Sequence, residues 1–191
     1  SLEDLPNGAK VGSSSLRRQS FILNLRPDLD VSPIRGNVHT RLDKVKDGQF
    51  DATFLAMAGL NRLGINGDFI RPVAGMVAAC GQGIVAIETR VNDADTRGFL
   101  DAIHHGPTGL AGYIERAALQ VLDGSCHTPI GASARETGDG FVFDLVVGSG
   151  DGTRVFEERG QAMVSTKSEA EAFGRDLALK LKPRVPADIF Q

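Results

Sequence analysis

Arginine recurs in this sequence wherever a strand-like stretch gives way to a helical one. Arg17 and Arg18 follow Gly12-Ser13-Ser14-Ser15, and Arg35 immediately precedes Gly36-Asn37. Arg41 sits one turn into the next helical stretch, and Arg62 lies on the one after that. A guanidinium holds a carboxylate or a phosphate through two parallel hydrogen bonds. Cations are disfavoured in a first helical turn, where the helix dipole is already positive. Two arginines, serine hydroxyls and N–H groups without intrahelical acceptors at one helix start therefore predict an anion site. The competing reading is a solvated pair on a surface helix. Five arginines on the ligand-binding side of one sheet imply a polycarboxylate or polyphosphate. A phosphate-binding P-loop is excluded, because no Gly-x-x-x-x-Gly-Lys-Ser/Thr occurs. The other reactive group is Cys126, in the polar loop Asp123-Gly124-Ser125-Cys126-His127-Thr128-Pro129. A thiol there is available for covalent attachment when ionised, or else is a spectator.

The elements that must position these groups alternate strand and helix. Lys10–Val11 ends a strand, Gly12 turns sharply, and one of the three serines caps a helix running from about Leu16 to Leu25, which Pro27 stops. Asp30–Ile34 is extended, Asn37–Lys46 helical and Phe50–Ala56 a strand. Met57–Leu63 is a short helix. This order predicts a mostly parallel sheet with helices on its faces, and ligands gather beyond the carboxyl ends of such strands. Gly81-Gln82-Gly83 precedes Ile84-Val85-Ala86-Ile87, an apolar run that suits a strand buried on both faces. Asp93–Ile103 and Gly109–Leu122 read as helices around His104-His105. That pair has no carboxylate or cysteine at a ligating spacing, so no metal site is expected, and a helix end suits the imidazoles better. Arg116, beside Glu115, reads as part of an exposed helix face. Ile130–Ala134, Phe141–Gly148 and Arg154–Gly160 read as three strands joined by Gly138-Asp139-Gly140 and Gly150-Asp151-Gly152, both hairpin signals. A helix follows over Ser168–Leu181, capped by Ser168 or Thr166.

The totals bound the class. The chain has 191 residues, with 41% hydrophobic and 24% charged, ordinary for a globular protein. Net charge is −3, so any basic site must be local, and no nucleic-acid partner is expected. Two cysteines without metal-ligand spacing point away from a disulfide framework and toward a reducing compartment. No run is apolar enough to span a membrane. The chain opens at Ser1 without methionine, and the expectation is a cut inside a longer protein.

Five motifs carry a resemblance. Ser14-Ser15-Leu16-Arg17-Arg18-Gln19, Arg35-Gly36-Asn37-Val38-x-Thr40-Arg41-Leu42, Ala58-Gly59-Leu60-x-Arg62-Leu63-Gly64, Gly81-Gln82-Gly83 and Leu122-Asp123-Gly124-Ser125-Cys126-x-Thr128-Pro129-Ile130-Gly131 occur in this order. In them the chain resembles the porphobilinogen deaminase (hydroxymethylbilane synthase) family, over that family's second and third domains. The resemblance implies a transferase of tetrapyrrole, porphyrin and heme biosynthesis that joins porphobilinogen units head to tail with loss of ammonia. It implies a cytoplasmic enzyme with a dipyrromethane cofactor attached covalently at Cys126, and with Ser15, Arg17, Arg18, Gly36 and Asn37 around it. It assigns catalytic assistance to Arg17, Arg35 and Arg41, and substrate binding to Arg35, Arg41, Arg62 and Gln82. The growing linear pyrrole chain bears an acetate and a propionate per ring, which suits the arginines. Arg35 is expected to be buried in a bidentate pair.

The implied fold is α/β: a lobe like those of type-II periplasmic binding proteins, with a mostly parallel sheet, plus a small C-terminal α+β domain with a three-stranded antiparallel sheet. The expected divisions are 1–83 for the lobe, 84–105 for a segment that in the family returns to the first domain, so that its apolar strand would here lack its own sheet, and 106–191 for the domain carrying Cys126. Here that first domain, with the family's catalytic aspartate, should precede Ser1, so the chain alone is expected to be an inactive monomer that needs it. Ala78 and Cys80 replace the family's usual Pro and Val. The alternative function is a non-catalytic carboxylate-binding module of periplasmic-binding-protein type.

Overall fold

The computed structural model describes residues 1–122 and 128–190. It divides into two compact units. The first comprises Ser1–Met76, residues 128–129 and Val147–Val155; the second comprises residues 77–122, Ile130–Val146 and residues 156–190.

In the first unit, strands β1 (Lys10–Gly12), β2 (Asp30–Ser32) and β3 (Ala52–Thr53) form a parallel sheet in the order β2-β1-β3. Each strand is followed by a helix: α1 (Leu16–Leu25), α2 (Val38–Lys46) and α3 (Met57–Arg62). Parallel pairing requires such crossovers and brings all three strand-to-helix junctions to one edge of the sheet. The core beneath is Ala9, Val11, Ile22 and Leu29, with Phe21, Val31 and Phe54 packed against it. Gly12 is obligatory at the end of β1, because a Cβ there would stand 2.9 Å from Ile34. Side chains close both helix starts: Ser15 Oγ accepts from Arg18 N, and Asn37 Oδ1 accepts from Thr40 N.

The second unit contains α4 (Ala94–Asp101), α5 (Gly106–Val121), the greater part of an antiparallel sheet in the order β4-β5-β6, and α6 (Lys167–Leu181). The strands are β4 (Ile130–Thr137), β5 (Gly140–Gly148) and β6 (Val155–Ala162). Alternation along β5 buries Phe141, Phe143 and Leu145. The Phe143 ring meets Phe173 of α6 edge to face, with centroids 6.2 Å apart. α6 begins at Thr166 with a full capping box to Glu169. It crosses α5 so closely that a Cβ on Gly174 would collide with the Ile114 carbonyl.

Two expectations about local structure are overturned. No strand forms over 84–88. Val85 is 88% exposed and Ile87 56%. Ile84 alone approaches α5, at Gly112. An apolar run makes a buried strand only where ladder partners exist, and none is found there among the described residues. The histidines also behave differently. His105 does not close the preceding helix but caps the start of α5, its Nδ1 accepting from Thr108 N.

Candidate functional site

The three junctions of the first unit are tied together by hydrogen bonds that only this topology permits. From the first junction, Ser14 Oγ donates to Ile34 O at 2.8 Å, just beyond β2. Arg18 Nη1 donates to Phe54 O at 2.9 Å, just beyond β3. Thr53 Oγ1 donates to Gly12 O at 2.9 Å. At the second junction, Arg41 Nε donates to Gly36 O at 2.8 Å and Lys44 Nζ to Arg35 O at 3.1 Å. Gly36 has φ of +118°, and a Cβ there would strike Thr40.

Arg17, Arg18 and Arg41 are each half-buried. Burial pushes the Arg17 guanidinium below its ordinary value, and the charge of Arg18 adds to this. Burial does the same to Arg18, with the charge of Arg41 adding. Each of these two groups thus has a second guanidinium as a neighbour, which adds to the cost of its burial. Arg26 shows the ordinary case in the same unit: it forks onto Asp28 at 2.7 Å and takes the Leu2 and Leu5 carbonyls besides. One Arg18 nitrogen is committed to Phe54, which leaves most of its donors for a ligand. Guanidiniums gathered at the carboxyl ends of parallel strands have the chemistry to hold carboxylates or phosphates.

The remaining residues singled out by the sequence lie as follows. Ser15 is spent partly on the α1 cap, and Asn37 on the α2 cap. Arg35 is exposed rather than buried; its carbonyl, not its guanidinium, carries the contact with Lys44. Arg62 is exposed at the end of α3. Gln82 belongs to the second unit, where its Oε1 accepts from Ala79 N across the 79–82 turn. Cys126 lies outside the described residues. Cys80 is half-buried; burial and the Glu115 carboxylate push its thiol up, with Arg116 opposing.

Sequence reasoning passed over two residues. Lys44 adds a cation at the second junction. The signal was available, since Arg41 and Lys44 are three apart and share a helix face. Glu115 is the second. It is only 6% exposed, whereas its neighbour Arg116 faces out. Its Oε2 accepts from Gly81 N at 2.6 Å and its Oε1 from Ala134 N at 2.8 Å. Burial pushes this carboxyl up, while the two N–H groups pull it down. Spacing could have found it, because Ala111, Glu115 and Ala118 fall on one stripe of α5. Among the described residues no cluster of His, Cys, Asp or Glu could hold a metal ion, and no helix is long and apolar enough to cross a membrane.

Fold and site thus define an α/β unit with arginines gathered at the ends of a parallel sheet, accompanied by a unit with an antiparallel sheet. Comparison with known proteins identifies the lineage. Residues 1–98 match the family model "Porphobilinogen deaminase, dipyromethane cofactor binding domain", and residues 110–183 match "Porphobilinogen deaminase, C-terminal domain". A relative from Nitrobacter winogradskyi named porphobilinogen deaminase is 45% identical over 192 residues, which is 100% of this chain and 60% of the relative. Relatives of the same name from Desulforudis audaxviator and Chloroherpeton thalassium are 45% and 41% identical, over 94% and 93% of this chain and 58% and 57% of their own lengths. The chain belongs to the porphobilinogen deaminase family, and it spans about 60% of the length of the curated relatives it matches.

Proposed function

We propose that this chain forms part of a hydroxymethylbilane synthase, a transferase that joins porphobilinogen units head to tail and releases ammonia. The observation that carries the reading is the cluster of half-buried, mutually repelling guanidiniums, Arg17, Arg18 and Arg41, at the shared edge of the parallel sheet. Each pyrrole of the substrate carries an acetate and a propionate. A dipyrromethane therefore presents four carboxylates, and a donor set of arginines, serine hydroxyls and first-turn N–H groups fits such a group. Held through the Cys126 sulfur, it supplies the covalent anchor on which the pyrrole chain grows.

The chain's own residues then bind and orient. Arg17 and Arg18, with Ser15 and the Gly36-Asn37 backbone, neutralise the carboxylates nearest the anchor. Arg35, Arg41 and Arg62 take those of the incoming unit and hold it against the chain end, where orientation supplies much of the acceleration. Gln82 offers an amide to the same substrate. The first unit is read more finely as a lobe of the type-II periplasmic-binding-protein kind, an assignment that its 2-1-3 strand order supports. Turnover is assigned to the full length found in the relatives, as a cytoplasmic monomer acting on porphobilinogen alone, with neither nucleic acid nor membrane as partner.

The test is intact mass. The whole protein that includes this chain, after exposure to porphobilinogen, is expected to carry an adduct of two pyrrole units that disappears in Cys126→Ala. A bare Cys126 thiol alongside steady turnover would overturn the assignment.

A further inference from the structure

The β5–β6 hairpin ends in a six-residue turn over 149–154, and this turn belongs to the first unit together with α1. It is preformed. Asp151 Oδ1 accepts from Ser149 Oγ, from Thr153 N at 3.1 Å and from Thr153 Oγ1 at 2.9 Å. Ser149 Oγ accepts in turn from Arg154 N at 3.0 Å. These donors hold the Asp151 carboxyl down at about 2.

The turn seats directly on α1. Gln19 Nε2 donates to Gly150 O at 2.9 Å, and Asn24 Nδ2 donates to Gly152 O at 3.1 Å. Between these two bonds the backbones nearly touch. A Cβ on Gly148 would collide with the Ser20 hydroxyl, and one on Gly152 would stand 2.5 Å from Asn24 N. Gly152 also has φ of +72°, which excludes most side chains by itself. Helical periodicity puts residues 19, 20, 23 and 24 on one face of α1, with Arg17 at the edge of that face beside Asn24 and Arg18 turned away from it.

The brace meets a physical need. α1 has only ten residues, too few to be stable alone. Its first turn carries two desolvated cations, one of them repelled by Arg41. Like charge gathered at one helix start disfavours its first turn. We propose that Gln19 and Asn24 are positioning residues: by clamping the 149–154 turn onto α1 they hold the Arg17–Arg18 pair in place for its anion. The inference rests on reading these arginines as carboxylate ligands.

The experiment uses the full chain, isotopically labelled, with benzene hexacarboxylate as probe. Parent and the double variant Gln19→Ala, Asn24→Ala are compared by amide hydrogen exchange and by titration calorimetry. Thr166→Ala, which removes a helix cap in the second unit, controls for general destabilisation. Loss of the clamp is expected to speed exchange at the Arg18 and Gln19 amides about tenfold relative to α2, and to weaken the hexacarboxylate about tenfold. Thr166→Ala is expected to change neither. If the double variant does not fold, Gln19→Ala alone is read in the same way. Unchanged exchange in the first turn of α1 would overturn the brace, and so would hexacarboxylate affinity within twofold of parent. A parent chain that does not bind the hexacarboxylate overturns the carboxylate reading instead, and exchange alone then decides the brace.

Discussion

Replacing Glu115 tests the second unit where its chemistry is least ordinary. In Glu115→Ala two backbone donors, Gly81 N and Ala134 N, lose acceptors at 2.6 and 2.8 Å. Hydrogen bonds to a charged group contribute about 1.5–3 kcal/mol each, so the gross loss is about 3–6 kcal/mol. Relief of a buried carboxylate, whose burial pushes it up, offsets part of this, leaving a net loss of about 2–4 kcal/mol. Glu115→Gln keeps the shape and one acceptor and is expected to lose about half as much. The pH dependence has a definite sign. Because the folded value is raised, this group's contribution is fully present below the unfolded glutamate value and lost as pH rises through the folded one. The advantage of parent over Glu115→Gln should therefore shrink as pH rises above the ordinary glutamate range. The assay is urea unfolding followed by the single tyrosine, Tyr113, which lies on α5 itself in a chain without tryptophan. A Glu115→Ala loss below about 0.5 kcal/mol, or an advantage that grows with pH, would refute the reasoning.

Gly174→Ala should destabilise the second unit by more than about 3 kcal/mol, measured in the same unfolding assay, because its Cβ has no room beside the Ile114 carbonyl. Arg35→Leu in the whole protein should slow turnover of porphobilinogen well over tenfold while shifting stability by less than about 1 kcal/mol, since Arg35 is exposed. Arg35→Lys should recover little of that rate, because an ammonium lacks the fork.

The parts of this molecule that the sequence makes legible are those fixed by local chemistry. Asn37 capping α2, one of three serines capping α1 and Ser168 or Thr166 opening α6 follow from hydroxyl and amide groups placed before apolar periodicity; the structure selects Ser15 and Thr166. The parallel sheet follows from strand and helix alternating. Long-range facts were not legible. The hairpin signal at Gly150-Asp151-Gly152 was plain, but its seat on α1 joins residues 131 positions apart. Ile84-Val85-Ala86-Ile87 has strand composition, yet composition cannot report whether partner strands exist, and Val85 stays exposed. Glu115 was hidden by Arg116, because adjacent helix positions point about 100° apart and one can be buried while the next is wet. At the site, the arginines were legible as a pattern; their burial and mutual repulsion required coordinates.

The claim that most depends on those coordinates is that Arg17, Arg18 and Arg41 form one cluster that binds carboxylates. Calorimetric titration of benzene hexacarboxylate into the full chain, and into Arg18→Met and Arg41→Met, tests it directly. The account predicts binding that weakens steeply with salt and falls at least about tenfold in each variant, with Arg41→Met no less stable than parent by more than about 1 kcal/mol. Equal affinity in parent and both variants would contradict it.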